Sequence, residues 1–64
     1  MFVKANLAGE GGLKVALRVE EILLFREGNH FGEESTVVVF RDGSTAHVTQ
    51  TVETFEQLIK ESLK

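Results

Sequence analysis

Apolar and polar positions alternate along most of this chain, and only its last dozen or so residues switch to a helical spacing. Phe2, Val3, Lys4, Ala5, Asn6, Leu7 and Ala8 alternate loosely, which predicts a first strand over 2–8. Leu13-Lys14-Val15-Ala16-Leu17-Arg18 alternates cleanly and predicts a half-buried strand over 13–18. Gly9-Glu10-Gly11-Gly12 lies between them as a turn, because glycine reaches positive φ without a Cβ penalty. A phosphate cradle would need a helix behind such a run; a strand follows instead, and Glu10 would repel the anion. After the short junction Val19-Glu20-Glu21, the large aliphatic and aromatic residues over 22–27 predict a third strand. The polar, glycine-containing stretch 28–35 reads as a loop, the longest in the chain.

Thr36-Val37-Val38-Val39-Phe40-Arg41 and Ser44-Thr45-Ala46-His47-Val48-Thr49 flank Asp42-Gly43, a dipeptide suited to a two-residue hairpin turn. Strands are expected over 36–41 and 44–49. A two-residue turn would place Phe40 opposite Thr45, Val38 opposite His47 and Val37 opposite Val48. One face would then carry Val37, Val39, Ala46 and Val48, and the other Val38, Phe40, Thr45 and His47. The third strand divides in the same way, with Ile22 and Leu24 on one side and Leu23 and Phe25 on the other.

From Thr51 onward the spacing becomes helical, with Phe55, Leu58, Ile59, Ser62 and Leu63 on one stripe and a helix expected over 52–63. Thr51 and Thr54 are alternative caps, the latter with Gln57 as a capping box. Glu56 and Lys60 form a favourable pair four apart. The expected fold class is α+β, mostly β: a single domain over 1–64, built as a curved antiparallel sheet or meander of about five strands followed by one C-terminal helix.

Composition changes the picture at two points. A chain of 64 residues buries only about 60 % of its unfolded surface, and without Cys it has neither disulfides nor thiolate metal sites to compensate. Oligomerisation is the remaining compensation, and one helix covers only one face of a sheet. A homo-oligomer, a dimer or larger, is therefore expected through the second sheet face, with Val38, Phe40, Thr45 and His47 as interface residues and Leu23 and Phe25 as neighbours. The formal net charge of −3, with Lys4, Lys14, Arg18, Arg26 and Arg41 scattered along the chain, makes nucleic acid a poor partner. The start lacks the basic and apolar regions of a signal peptide, and no apolar run nears the ~20 residues of a membrane span. A cytoplasmic protein with no membrane span is the expectation.

Candidate chemistry is sparse. The two histidines, His30 and His47, would need to meet beside a carboxylate such as Glu33 or Glu34 to hold a metal, and their spacing matches no ligand motif. No metal or cofactor is expected. Ser35 adjoins Glu33 and Glu34 in a polar stretch without an oriented base, so no catalytic residues are assigned and the protein is read as a non-enzyme. Glu33-Glu34 with Phe31 could form a recognition loop, but reads more simply as a solvated connection.

Met1-Phe2-Val3-Lys4, Leu7, Gly9, Glu21-Ile22, Thr36-Val37-Val38-Val39, Asp42-Gly43, Val48, Thr51 and a helix holding Phe55, Leu58 and Ile59 together form a chain-long pattern of strand, turn and cap. In this pattern the chain resembles the small flagellar and swarming-motility proteins of the FlbD type. It departs from them in the stretch 28–35, longer than their tight Pro-Asp turn, and in a basic C-terminal end reduced to Lys60 and Lys64. The resulting expectation is a small interaction or adaptor protein that self-associates and binds another protein. Two alternatives are a phage or mobile-element inhibitor of a host protein, with its acidic surface as a mimic of nucleic-acid charge, and a small nucleic-acid-associated regulator using Lys14, Arg18, Arg26 and Arg41.

Overall fold

The computed structural model describes residues 1–9 and 11–63. Among the described residues, five strands precede one helix: β1 (Phe2–Asn6), β2 (Lys14–Arg18), β3 (Ile22–His30), β4 (Glu33–Phe40), β5 (Thr45–Val48) and α1 (Val52–Ser62). A 3-10 turn at Val19–Glu21 links β2 to β3. The fold is α+β and mostly β. Its strands form two antiparallel sheets, β1-β2 and β3-β4-β5. A single bridge, Leu7 to Val48, joins them, flanked by Ala8 N–H donating to His47 O at 2.8 Å and Thr49 N–H to Asn6 O at 2.9 Å. Amide groups of Asn6 and Gln50 tie the same seam, with Gln50 Nε2 donating to Asn6 Oδ1 at 2.9 Å. Thr36 Oγ1 adds a bond to Gln50 O at 2.7 Å, which satisfies a hydroxyl that is fully buried.

Between the first two strands, the described glycines Gly9, Gly11 and Gly12 all have positive φ, as a glycine turn requires. Glu10 of that turn lies outside the described residues. The stretch 28–35, expected as a loop, is instead mostly paired. Gly28 faces Ser35, Asn29 faces Glu34 and His30 faces Glu33. Only Phe31 and Gly32 turn the chain, at φ +51° and +83°, the two positive values of a type I′ hairpin. Asn29 Oδ1 closes the turn by accepting from Gly32 N–H at 2.8 Å.

The hairpin at Asp42-Gly43 corrects the expected register. Phe40 N–H donates to Ser44 O at 2.9 Å and Gly43 N–H to Phe40 O at 3.0 Å. The loop is therefore three residues, Arg41-Asp42-Gly43, with Gly43 in the left-handed position at φ +91°, the bulged form of hairpin loop. One extra loop residue slips the pairing by one. Val39 faces Thr45, Val38 faces Ala46, Val37 faces His47 and Thr36 faces Val48. Every side chain of β4 thereby changes face relative to the expected pairing.

The core consists of Val3, Ala5, Val38, Val48 and Phe55, with Leu7, Leu17, Val19, Ile22, Phe25, Phe40, Leu58 and Ile59 packed around it. Helix α1 lies against β1, β3 and β4, and its Phe55 ring meets Phe25 edge-on at 5.1 Å between centroids. Burying Phe55 completely contributes about 1.5–3 kcal/mol. Thr51 is the cap, its hydroxyl accepting from Thr54 N–H at 3.2 Å. Leu63, placed on the apolar stripe by spacing, ends up 60 % exposed just beyond the last turn.

A bulge in β3 completes the sorting. The register shifts between Ile22 and Leu24, so Ile22 and Phe25, three apart, both reach the core side. Leu23 and Leu24 are left outside, 58 % and 46 % exposed.

Candidate functional site

Of the six residues expected at an interface, the structure separates two sets. Val38 is fully buried, and Phe40 and Phe25 pack against the same core. These three lie on the core side of the sheet and are not part of its outer face. The physical cause is the slipped hairpin register for Val38 and Phe40, and the bulge for Phe25. Thr45, His47 and Leu23 remain accessible in part or in full.

The outer face of the three-stranded sheet is therefore built differently from its expected composition. Across the strands, Leu24 faces Val39, which faces Thr45. In the next row Arg26 faces Val37, which faces His47. Gly28 faces Ser35 and His30 faces Glu33 beyond that. Val37 is 5 % exposed even on this side, and its Cγ2 fills the space a Cβ on Gly28 would occupy, 2.5 Å from that position. Leu24 and Leu23 form the exposed apolar margin of the face, along the outer strand β3.

At the other end of this face the two histidines meet. His30 and His47 stand with ring centroids 5.3 Å apart and planes at 76°. They line an open hollow of about 380 Å³ together with Leu7, Ala8, Thr45 and Ala46, where the sheets part beside the bridge. Gly9 backs onto His30, and a Cβ there would collide with the Nε2 end of the imidazole. Two polar atoms on this side, His47 Nδ1 and Ser35 Oγ, are buried without a hydrogen-bond partner among the described residues. Their spacing along the chain carries no signal. The signal that could have found the pair is the Phe31-Gly32 turn, because a β-turn there brings 30 and 33 into register and folds β4 and β5 back beside β3.

The basic residues are also redistributed. Lys4, Lys14 and Arg18 lie on one face of β1-β2, together with Phe2, which is 61 % exposed. Arg26 belongs to the outer face of the other sheet, and Arg41 is held in its loop by Nε donating to Glu20 O at 2.9 Å. Among the described residues, no group of three or more His, Cys, Asp or Glu is placed to hold a metal ion, and no helix is long and apolar enough to cross a membrane. No family model, curated protein or solved structure matches the chain.

Proposed function

We propose that this protein is a small non-enzymatic interaction module that self-associates through the outer margin of β3 and binds another protein. The observation that carries this reading is the uncovered pair Leu23 and Leu24, set outside by the bulge on a strand with one free edge. Exposed apolar groups next to unpaired backbone N–H and C=O groups attract another surface or another strand. Val39 and Thr45 extend the patch across the sheet. A second copy meets the need of a short chain for more buried surface. The resemblance to flagellar and swarming-motility proteins suggests a motility-associated partner.

Light scattering over a concentration series tests self-association, with Leu24→Glu as the probe. The wild type is expected to form a dimer or larger species, and the variant to remain folded and shift to monomer, because a charge in an apolar contact must be desolvated. A wild-type monomer at all concentrations would remove self-association from the reading. An unchanged mass for Leu24→Glu would move the contact elsewhere.

A second reading has its own observation. Lys4, Lys14 and Arg18 share one face of β1-β2 with exposed Phe2, Arg18 also pairing with Glu20 at 3.6 Å, a basic face on an acidic chain that suits a polyanion or a single-stranded nucleic acid stacking on an aromatic ring. Retention on heparin at low salt, lost in Lys14→Glu, would support it. Passage without retention would remove it.

A further inference from the structure

The hairpin tip between β3 and β4 carries a strained residue that the core does not use. Phe31 stands in the left-handed region at φ +51° and is 93 % exposed. A bulky residue is a steric outlier there, and asparagine or glycine would form the same turn with less strain. The ring meets His30 edge-on, 4.6 Å between centroids, and otherwise faces solvent. Strain kept at an exposed aromatic points to a contact outside the chain. Glu33 and Glu34 follow directly and are exposed as well, so the ring projects from an acidic end.

A matching surface lies on the other sheet. Lys4, Lys14, Val15 and Ala16 line an open hollow of about 270 Å³ on β1-β2. Lys4 faces Ala16 across the strand pair, and alanine, with no side chain beyond Cβ, keeps the floor low between the two lysines. The floor is apolar, and lysine stems extend it while their ammonium groups stay in water.

We infer that the Phe31 tip of one copy docks in the hollow beside Lys4 and Lys14 of a second copy, with Glu33 and Glu34 set against the two lysines. The ring meets apolar surface and the face it offers to an ammonium group adds a cation–π attraction. Charge complementarity singles out a second copy. The chain as a whole stands at −3, yet the tip and the hollow carry opposite signs, which orients one molecule against the next. Within one chain Phe31 stays exposed, so its own hollow is left for another copy. Tip and hollow are different surfaces, and the contact is therefore heterologous. It uses neither Leu23 nor Leu24 and does not depend on the β3 margin. A buried ring of this kind covers about 150–250 Å², against about 1,200 Å² or more for a standing interface. The contact is weak on its own and shows at high protein concentration.

The test is made in the Leu24→Glu chain, where the β3 margin is disabled, by nitrogen-15 spectra and diffusion measurements from micromolar to millimolar protein. The expected result is association that salt weakens, with the amides of Phe31 and Gly32 shifting together with those of Lys14 and Ala16. Phe31→Asn removes the ring while suiting the turn, so its melting temperature should equal or exceed that of its parent. Lys14→Glu reverses the charge beside the hollow. Each should weaken association by at least about tenfold, as loss of an anchor residue does. Mixed one to one, the two variants should associate again, because Lys14→Glu keeps the ring and Phe31→Asn keeps the hollow. No concentration-dependent shift at Phe31 would overturn the proposal. So would a mixture that stays monomeric, or a hollow whose amides respond only to an added oligonucleotide.

Discussion

Single residues carry sharper consequences in this fold than its small size suggests, and Gly28 is the clearest case. Replacing a strand glycine with alanine ordinarily gains about 0.4–1 kcal/mol by restricting the unfolded chain. Here the new Cβ would lie 2.5 Å from Val37 Cγ2, and valine is stiff at χ1 and nearly buried. Overpacking of this kind costs about 1–3 kcal/mol, so the clash wins. Gly28→Ala is expected to lower the urea midpoint, and a raised midpoint would show that Val37 yields freely. Asp42 acts through charge. Ser44 Oγ donates to its carboxylate at 2.6 Å and Ser44 N–H at 2.9 Å, and the hydroxyl bond first, then the backbone bond, holds its pKa below the ordinary 3.8. A depressed carboxyl stabilises the fold above its unfolded value and loses that contribution as pH falls through the lower folded value. The stability gap between wild type and Asp42→Asn should therefore be widest above pH 3.8 and close below it. A gap that stays constant on acidification would mean that the hydrogen bonds do not depend on the charge.

At the scale of elements, turn chemistry decides more than strand propensity. The two hairpins of β3-β4-β5 use different loops: a tight pair of positive-φ residues at Phe31-Gly32, and a three-residue loop ending in Gly43. Phe31 is unusual in the left-handed region and is 93 % exposed, so the turn was hidden behind a residue that rarely marks one. Asp42-Gly43 was recognisable as a turn, yet the dipeptide serves a two-residue loop and the end of a three-residue loop equally well. The helix is legible from its apolar stripe and the Glu56–Lys60 pair, found at 3.7 Å, while the choice of Thr51 over Thr54 as cap came with the structure. Thr51→Ala removes the acceptor for Thr54 N–H and should cost about 1 kcal/mol. For a chain of this length, that lowers the melting temperature by about 4–8 °C. A melting temperature within a degree of the wild type would assign the cap to backbone alone.

For the whole molecule, the outcome is two antiparallel sheets with one helix packed against their inner side. Among the described residues the strand pair and the strand trio share one bridge, so the seam at Leu7, Val48, Asn6 and Gln50 joins the halves beside the core they share. The fate of Phe40 follows from the same arrangement. Phe40 packs half-buried on the core that includes Val38 and Phe55, so Phe40→Glu sets a charge against apolar neighbours and strips part of its hydration. Phe40→Glu should lower the melting temperature by several degrees more than Leu24→Glu does. A smaller loss for Phe40→Glu than for Leu24→Glu would reverse the assignment of inner and outer faces.

The sequence by itself determined that this is a mostly β chain closed by a C-terminal helix, because alternation, glycine turns and a helical stripe are local properties written residue by residue. It also shows which residue types the chain has for chemistry, two histidines among them, without assigning them a site. Only the tertiary structure decided which face each side chain takes and which residues meet. One extra residue in the Asp42 loop and one bulge at Leu23 moved Val38, Phe40 and Phe25 into the core and Leu24 out of it. Strand alternation has a period of two, so a slip of one residue leaves the pattern intact while reversing its meaning. The meeting of His30 and His47 is of the same kind: it depends on how three strands are folded side by side, which no spacing along the chain records.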